Sequence, residues 1–223
     1  MDFEQLWAMA DELGDVLPIL ELTEPERRDL VAHMRARRLR TGEVLYHRGD
    51  PGADIFVVHR GLVKSVLHDG NGREVIIGLH ARGDFFGTLM LFEDSTRESS
   101  SVAVMGTTLL QIARADALRT LERNPRAMYF MFERLAIAIH RLTGMIEGIV
   151  FLDVPGRLAR YLVELGQAER LLLSQDEIAA ALGASREAVN KALTDFERRG
   201  LVRVTHRQIQ ILQTEQLRRE IRA

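Results

Sequence analysis

The chain has 223 residues, 46% of them hydrophobic and 28% charged, enough for one large domain or two small ones that each bury a core. It contains no cysteine, which excludes structural disulfides, thiolate zinc sites and cysteine-held iron–sulfur clusters. A net charge of −2 gives no bulk signal for nucleic acid, no apolar run approaches the roughly 20 residues that span a bilayer, and the N-terminus is acidic, so a cytoplasmic protein is expected.

Residues 1 to about 36 read as helical, with Thr23-Glu24-Pro25-Glu26 supplying a cap, a first-turn proline and acids at the positive end of the dipole. From Leu39 to Ile112 the hydrophobic period changes to two. Ile55–Val58, Leu62–Leu67, Val75–Ile77, Ser101–Val104 and Leu109–Ile112 are strand-like, and nine of the 17 glycines fall between Gly42 and Gly87. Short strands punctuated this often predict a compact β-barrel or sandwich. Asp69-Gly70-Asn71-Gly72 has the composition of a hairpin turn.

Helix returns at Ala115, and Asn124-Pro125 is a cap followed by proline at the first helical position. Met128, Met131, Leu135, Ala138, Leu142, Met145, Ile149 and Leu152 then keep strict 3-4 spacing, a seam expected to face a second copy of the chain. A neighbouring stripe, Phe132, Ile139 and Ile146, is expected to face the chain's own β domain. Gly144 and Gly148 each cost about 1 kcal/mol in a helix interior relative to Ala, so they mark either close approach or a place where the helix can change. These patterns divide the chain into 1–124, 125–152 and 153–223, an α+β architecture.

In the last segment, Ser174 followed three residues later by Glu177 is a capping box, and Ile178, Ala181 and Leu182 line one side of a short helix. Gly183-Ala184 breaks the pattern. Ser185 caps a second helix, with Val189, Ala192, Leu193 and Phe196 as its buried stripe. Two short helices about a glycine turn predict a helix-turn-helix, and the alternating Leu201–Val204 and Gln208–Leu212, separated by a break from Thr205 to Gln208, predict a winged hairpin after it. Arg186, Glu187, Asn190 and Lys191 lie outside the apolar stripe, near the end of the helix that enters a major groove. From Phe151 onward 12 Lys/Arg face 10 Asp/Glu, so DNA recognition rests on arrangement rather than bulk charge.

The order of helix, Gly-rich β-roll, long dimer helix and winged helix-turn-helix resembles the cyclic-AMP receptor protein/fumarate-nitrate regulator (CRP/FNR) family over essentially the whole chain. Phe151–Ala159 looks like its hinge, Ser174–Leu193 like its recognition motif, and Gly83–Leu89 through Ser99 like its phosphate-binding cassette. The resemblance implies a homodimeric transcription regulator that reads two-fold palindromic duplex DNA with half-sites of the TGTGA or TTGA type, with RNA polymerase as partner. Arg186, Glu187 and Lys191 would read bases with Asn190 adding to them, while Ser185, Ser174 and Gln175 would contact phosphate.

The cassette departs from the family pattern. Cyclic-nucleotide binders carry Phe-Gly-Glu with Arg-Ser ten residues after the Glu; here Thr88 stands in the Glu position and Glu98 in the Arg position, with Ser99 retained. Arg97 is adjacent, but one residue along a strand turns a side chain to the other face. The base-contacting positions map to Leu142 and Thr143. The effector pocket implied by the resemblance is thus Gly87, Thr88, Leu89, Arg97, Glu98, Ser99, Leu142 and Thr143, and a carboxylate in place of the phosphate-binding cation argues against cyclic AMP. No cofactor is assigned, and an anion or an apolar small molecule in the roll stays open. Haem could use one of the seven histidines, His33, His47, His59, His68, His80, His140 and His206, but none shows a ligand-like spacing such as H-x-H or HExxH. The rival expectation is a small-molecule-binding β-roll or a metal-dependent enzyme of the cupin kind with structural C-terminal helices; no nucleophile elbow, Walker loop or dinucleotide fingerprint supports a catalytic site.

Overall fold

The computed structural model describes residues 2–13, 22–92, 96–165, 174–205 and 208–221. Leu173, at the head of the helix-turn-helix stretch, and the wing residues His206 and Arg207 lie outside the described residues. The chain forms two compact units: Met1–Leu67 with Ile77–Ile137, and His68–Ile76 with Ala138–Ala223.

The first unit opens with α1 (Phe3–Asp11) and α2 (Glu24–Ala32). Both start on capping boxes, in which Asp2 accepts from the Gln5 N–H at 2.9 Å and Glu26 accepts from the Thr23 N–H at 2.7 Å. The expected helix to residue 36 stops four residues early. Met34 and Leu39 are buried in a strand, β1 (Met34–Leu39), registered against β8 (Thr107–Ala113) with Met34 opposite Ile112. Tertiary pairing overrides the helical propensity of the intervening Arg-Ala-Arg-Arg.

Two four-stranded antiparallel sheets build the roll, in the orders β1-β8-β3-β6 and β2-β7-β4-β5, with β2 (Val44–Tyr46), β3 (Asp54–Arg60), β4 (Val63–His68), β5 (Glu74–His80), β6 (Phe85–Phe86) and β7 (Ser100–Ala103). The non-sequential order is a jelly-roll arrangement. Its core is rich in valine, isoleucine, leucine and phenylalanine; Val57, Val58, Val63, Val66 and Leu109 are fully buried. α3 (Arg114–Arg123) follows, and Asn124 Oδ1 then accepts from the N–H groups of Arg126 and Ala127, capping the 27-residue α4 (Pro125–Phe151).

The stripe of α4 expected to face the roll is instead exposed, and the start of the seam expected to face a partner is taken up by the roll core. Met131 is buried in the roll core and Met128 packs against it. Phe132, Ile139 and Ile146 are instead 56%, 64% and 63% exposed. With Tyr129, Ala136, Thr143 and Val150 they form an exposed line at strict 3-4 spacing. Leu135, Met145 and Leu152 are half-buried, while Ala138, Leu142 and Ile149 are exposed beside that line. Helical periodicity finds stripes but does not say which one the chain's own core consumes.

The second unit continues with α5 (Val154–Leu165), α6 (Gln175–Leu182), α7 (Arg186–Arg198), the hairpin β9 (Val202–Thr205) and β10 (Gln208–Ile211), and α8 (Thr214–Glu220). Leu158, Leu162, Ile178, Val189, Leu193, Phe196, Leu201 and Leu217 are its buried centre. Gly148 gives the close approach: Arg157 and Arg160 of α5 pass over it, and Arg160 donates to the Gly144 carbonyl at 2.9 Å and pairs with Glu147 at 2.7 Å. α8 packs on α5 and is pinned by a two-pronged pair between Arg199 and Glu220, at 3.0 and 2.6 Å.

Candidate nucleic-acid interface and effector pocket

The reading head is built on two caps. Ser174 Oγ accepts from the Glu177 N–H at 3.2 Å, while the Glu177 carboxylate accepts from the Ser174 N–H and hydroxyl at 2.7 and 2.8 Å. Gly183 then ends α6 in the left-handed region (φ 58°), where a Cβ would be strained. Ser185 Oγ accepts from the Ala188 N–H at 3.2 Å and starts α7. Val189, Leu193 and Phe196 of α7 are buried beside Ile178 and Leu182 of α6. This leaves Ser185, Arg186, Glu187, Asn190 and Lys191 together on the exposed face.

These side chains are poised rather than locked. Arg186 reaches back to Asp176 at 3.4 Å, but both are 66% exposed, and a pair so open to water is worth at most about 1 kcal/mol. Asn190 accepts from Gln175 at 3.3 Å. Glu187 and Lys191 make no side-chain hydrogen bond or ion pair among the described residues. The Ser174 hydroxyl is committed to its cap in both directions, so a phosphate contact here falls to the α6 amides and Gln175. Replacing Ser174 by Ala is expected to lower the stability of the second unit by about 1 kcal/mol, read from a denaturant midpoint.

Sequence reasoning missed three features of this head. Arg157 donates to the Leu182 carbonyl at 2.8 Å, Glu197 accepts from the Val204 N–H at 2.9 Å to fix the wing, and Arg203 stands exposed on β9. Arg157 and Glu197 are long side chains bridging elements, which spacing along one element does not reveal.

In the roll, the cassette corrects a reading of the sequence. Arg97 is only 5% exposed, whereas Glu98 is exposed. The alternation argument fails because Arg97 precedes β7 and lies in a short irregular pairing with residues 49–51. Gly49 N–H donates to the Arg97 carbonyl at 2.8 Å, the Arg97 N–H to the Asp50 carbonyl at 2.9 Å, and Thr96 bridges Pro51. The interior cation thus follows Thr88 by nine residues instead of ten.

The Arg97 guanidinium lies 4.2 Å over the Tyr46 ring and 5.6 Å from Phe56, and Nη2 donates to the Asp54 carbonyl at 2.8 Å. Among the described residues, Nε and Nη1 are buried without a hydrogen-bond partner. The cradle demands glycine at two places: a Cβ on Gly52 would overlap the guanidinium, and one on Gly87 (φ 75°) would meet Nη1 at 2.7 Å. Burying a cation with open donors costs several kcal/mol, of which stacking on Tyr46 offsets about 2. An anion would fill those donors. Gly87 leads into a 3-10 helix, Thr88–Leu91, in which Thr88 is half-buried and Leu89 exposed; Ser99 is half-buried. Leu142 and Thr143, the other expected pocket residues, are exposed on α4 in the second unit, and the Thr143 hydroxyl donates to the Ile139 carbonyl at 3.0 Å.

Residues 36–124 match the cyclic nucleotide-binding domain family and residues 156–220 the Crp-like helix-turn-helix domain family. The chain is 33% identical over 192 residues to the CRP-like cAMP-activated global transcriptional regulator of Mycobacterium tuberculosis, covering 81% of this chain and 85% of the relative. It is 30% identical over 188 residues to the cAMP-activated global transcriptional regulator Vfr of Pseudomonas aeruginosa, covering 78% and 88%. Its fold is similar to the c-di-GMP responsive global regulator CLP of Xanthomonas campestris, with a TM-score of 0.74, 25% identity, and 85% and 99% of the two chains covered. The chain belongs to the CRP/FNR family of transcription regulators, with a cyclic-nucleotide-binding type of roll and a Crp-like DNA-binding helix-turn-helix.

Proposed function

We propose that this regulator works as a homodimer, each protomer placing α7 in a major groove of one two-fold symmetric site, under the control of an anionic small molecule held at Arg97. The capped, exposed N-terminal face of α7 carries the DNA half of this reading. There Arg186 can take guanine O6 and N7 as a fork, Glu187 can accept from cytosine N4, Asn190 can pair with adenine, and Lys191 offers a point charge. Ser185, which accepts within its cap, keeps its hydroxyl hydrogen for a phosphate.

The exposed line on α4 supports the dimer, since isoleucine at seven-residue spacing on a solvent face is the pattern a partner helix covers. The unfilled donors of Arg97 support an anionic, phosphate-bearing effector, as do the names of relatives activated by cyclic AMP or responsive to cyclic di-GMP. They remove the ground on which the sequence argued against a cyclic nucleotide. Thr88 still withholds the carboxylate that grips ribose hydroxyls in that resemblance, so recognition shifts toward the phosphate. Acting on RNA polymerase from the cytoplasm completes the role, and no catalytic step is assigned to any residue.

The test is selection of duplexes from a random pool, run with and without cyclic nucleotides. Enrichment of an inverted repeat supports the reading; no enriched sequence under any condition refutes it. On the enriched duplex Arg186→Ala is expected to lose about 1–3 kcal/mol, roughly 5- to 150-fold, and to relax one base position per half-site, as measured by a base-by-base competition series.

A further inference from the structure

The tip of the β4–β5 hairpin, His68–Ile76, is grouped with the second unit. Arg73 is the residue that ties it there: Nη2 donates to the Gly183 carbonyl at 2.7 Å, joining residues 110 positions apart. That carbonyl and the Leu182 carbonyl belong to the negative end of α6, whose last turn carries no basic residue of its own. Arg157 takes the Leu182 carbonyl, and Arg73 takes that of Gly183.

The tip is shaped to present this guanidinium. Asp69 Oδ1 accepts from the N–H groups of Arg73 and Asn71 at 2.9 and 2.8 Å, and the Asp69 N–H donates to the Arg73 carbonyl at 3.0 Å. Asp69 and Glu74 flank Arg73, and Glu74 also lies 3.7 Å from His68. The turn that receives Arg73 comes two residues before Ser185 and three before Arg186, the face of α7 assigned to DNA.

We propose that the tip is an autoinhibitory strap: Arg73, seated on the helix-turn-helix turn, brings the Asp69 and Glu74 carboxylates to the edge that must meet phosphate and holds the chain in a state of low DNA affinity. Seated on that turn, the tip takes up space beside the edge an approaching duplex must reach, and its two acids add repulsion toward phosphate there. The strap rests on the DNA-binding reading above, and release of Arg73 is the step that lets DNA in.

Two measurements on the full chain test it. Binding of the duplex enriched by the wild-type chain, without effector, is expected to tighten about tenfold in Arg73→Ala, with Arg73→Lys in between, a normal size for coupling between sites. Equal or weaker binding by Arg73→Ala overturns the inhibitory role. Amide hydrogen exchange without DNA reads the contact itself: Arg73→Ala is expected to lose protection at residues 183–185, and unchanged protection there overturns the strap. This second readout stands even if no duplex is enriched, so failure of the strap and failure of the DNA-binding reading are told apart.

Discussion

Replacing Ile139 and Ile146 together by Glu is expected to turn the protein into a folded monomer that binds its duplex about 10²- to 10⁴-fold more weakly. The folding half of this result follows from exposure. Both side chains are more than 60% open in the single chain, where substitutions fall within about ±0.5 kcal/mol. The binding half follows from linkage of two reading heads: without a shared helix pair the second half-site is no longer met at the high effective concentration that joining gives. Sedimentation shows the monomer, and fluorescence anisotropy with the enriched duplex shows the loss. Met131→Glu is the contrasting case. It sits in the roll core, so it should unfold the first unit, a readout that separates the two stripes of α4.

Arg97→Met is expected to abolish the effector response while leaving the effector-free protein at least as stable. Hydrogen bonds to a charged group contribute about 1.5–3 kcal/mol each, so losing the two open donors, Nε and Nη1, predicts an effector bound about 10²- to 10⁴-fold more weakly. The apolar replacement removes a buried charge whose only hydrogen bond among the described residues runs through Nη2, and exchanging such a charge for a hydrophobic side chain is often neutral or stabilising. Calorimetric titration with cyclic AMP and cyclic GMP, alongside thermal melts, measures both parts. A variant that keeps the wild-type response would remove Arg97 from the pocket.

Much of this was readable in the sequence, because the deciding signals are local. The capping residues Ser174, Ser185 and Asn124 are read from a few neighbours, and each makes its expected bond. The wing follows from period-two alternation, with Val202 opposite Ile211 and Val204 opposite Ile209. What was not readable depends on packing between elements. β1 looks helical until β8 pairs with it, and α8 is too short to announce itself without Leu217 buried and Arg199 on Glu220. Arg97 was assigned to the outer face because strand alternation was carried into a stretch that is not strand; the pairing with Gly49 and Asp50 that turns it inward involves residues nearly fifty positions away. The two stripes of α4 are indistinguishable by spacing alone, since the choice depends on which one the roll core covers.

Hydroxyl-radical footprinting of the wild-type chain on its enriched duplex tests the central claim most directly. Two α7 helices in successive major grooves predict two protected segments related by a two-fold axis, their centres one helical turn, about 34 Å, apart. One protected segment, or protection spread evenly along the duplex, would contradict it.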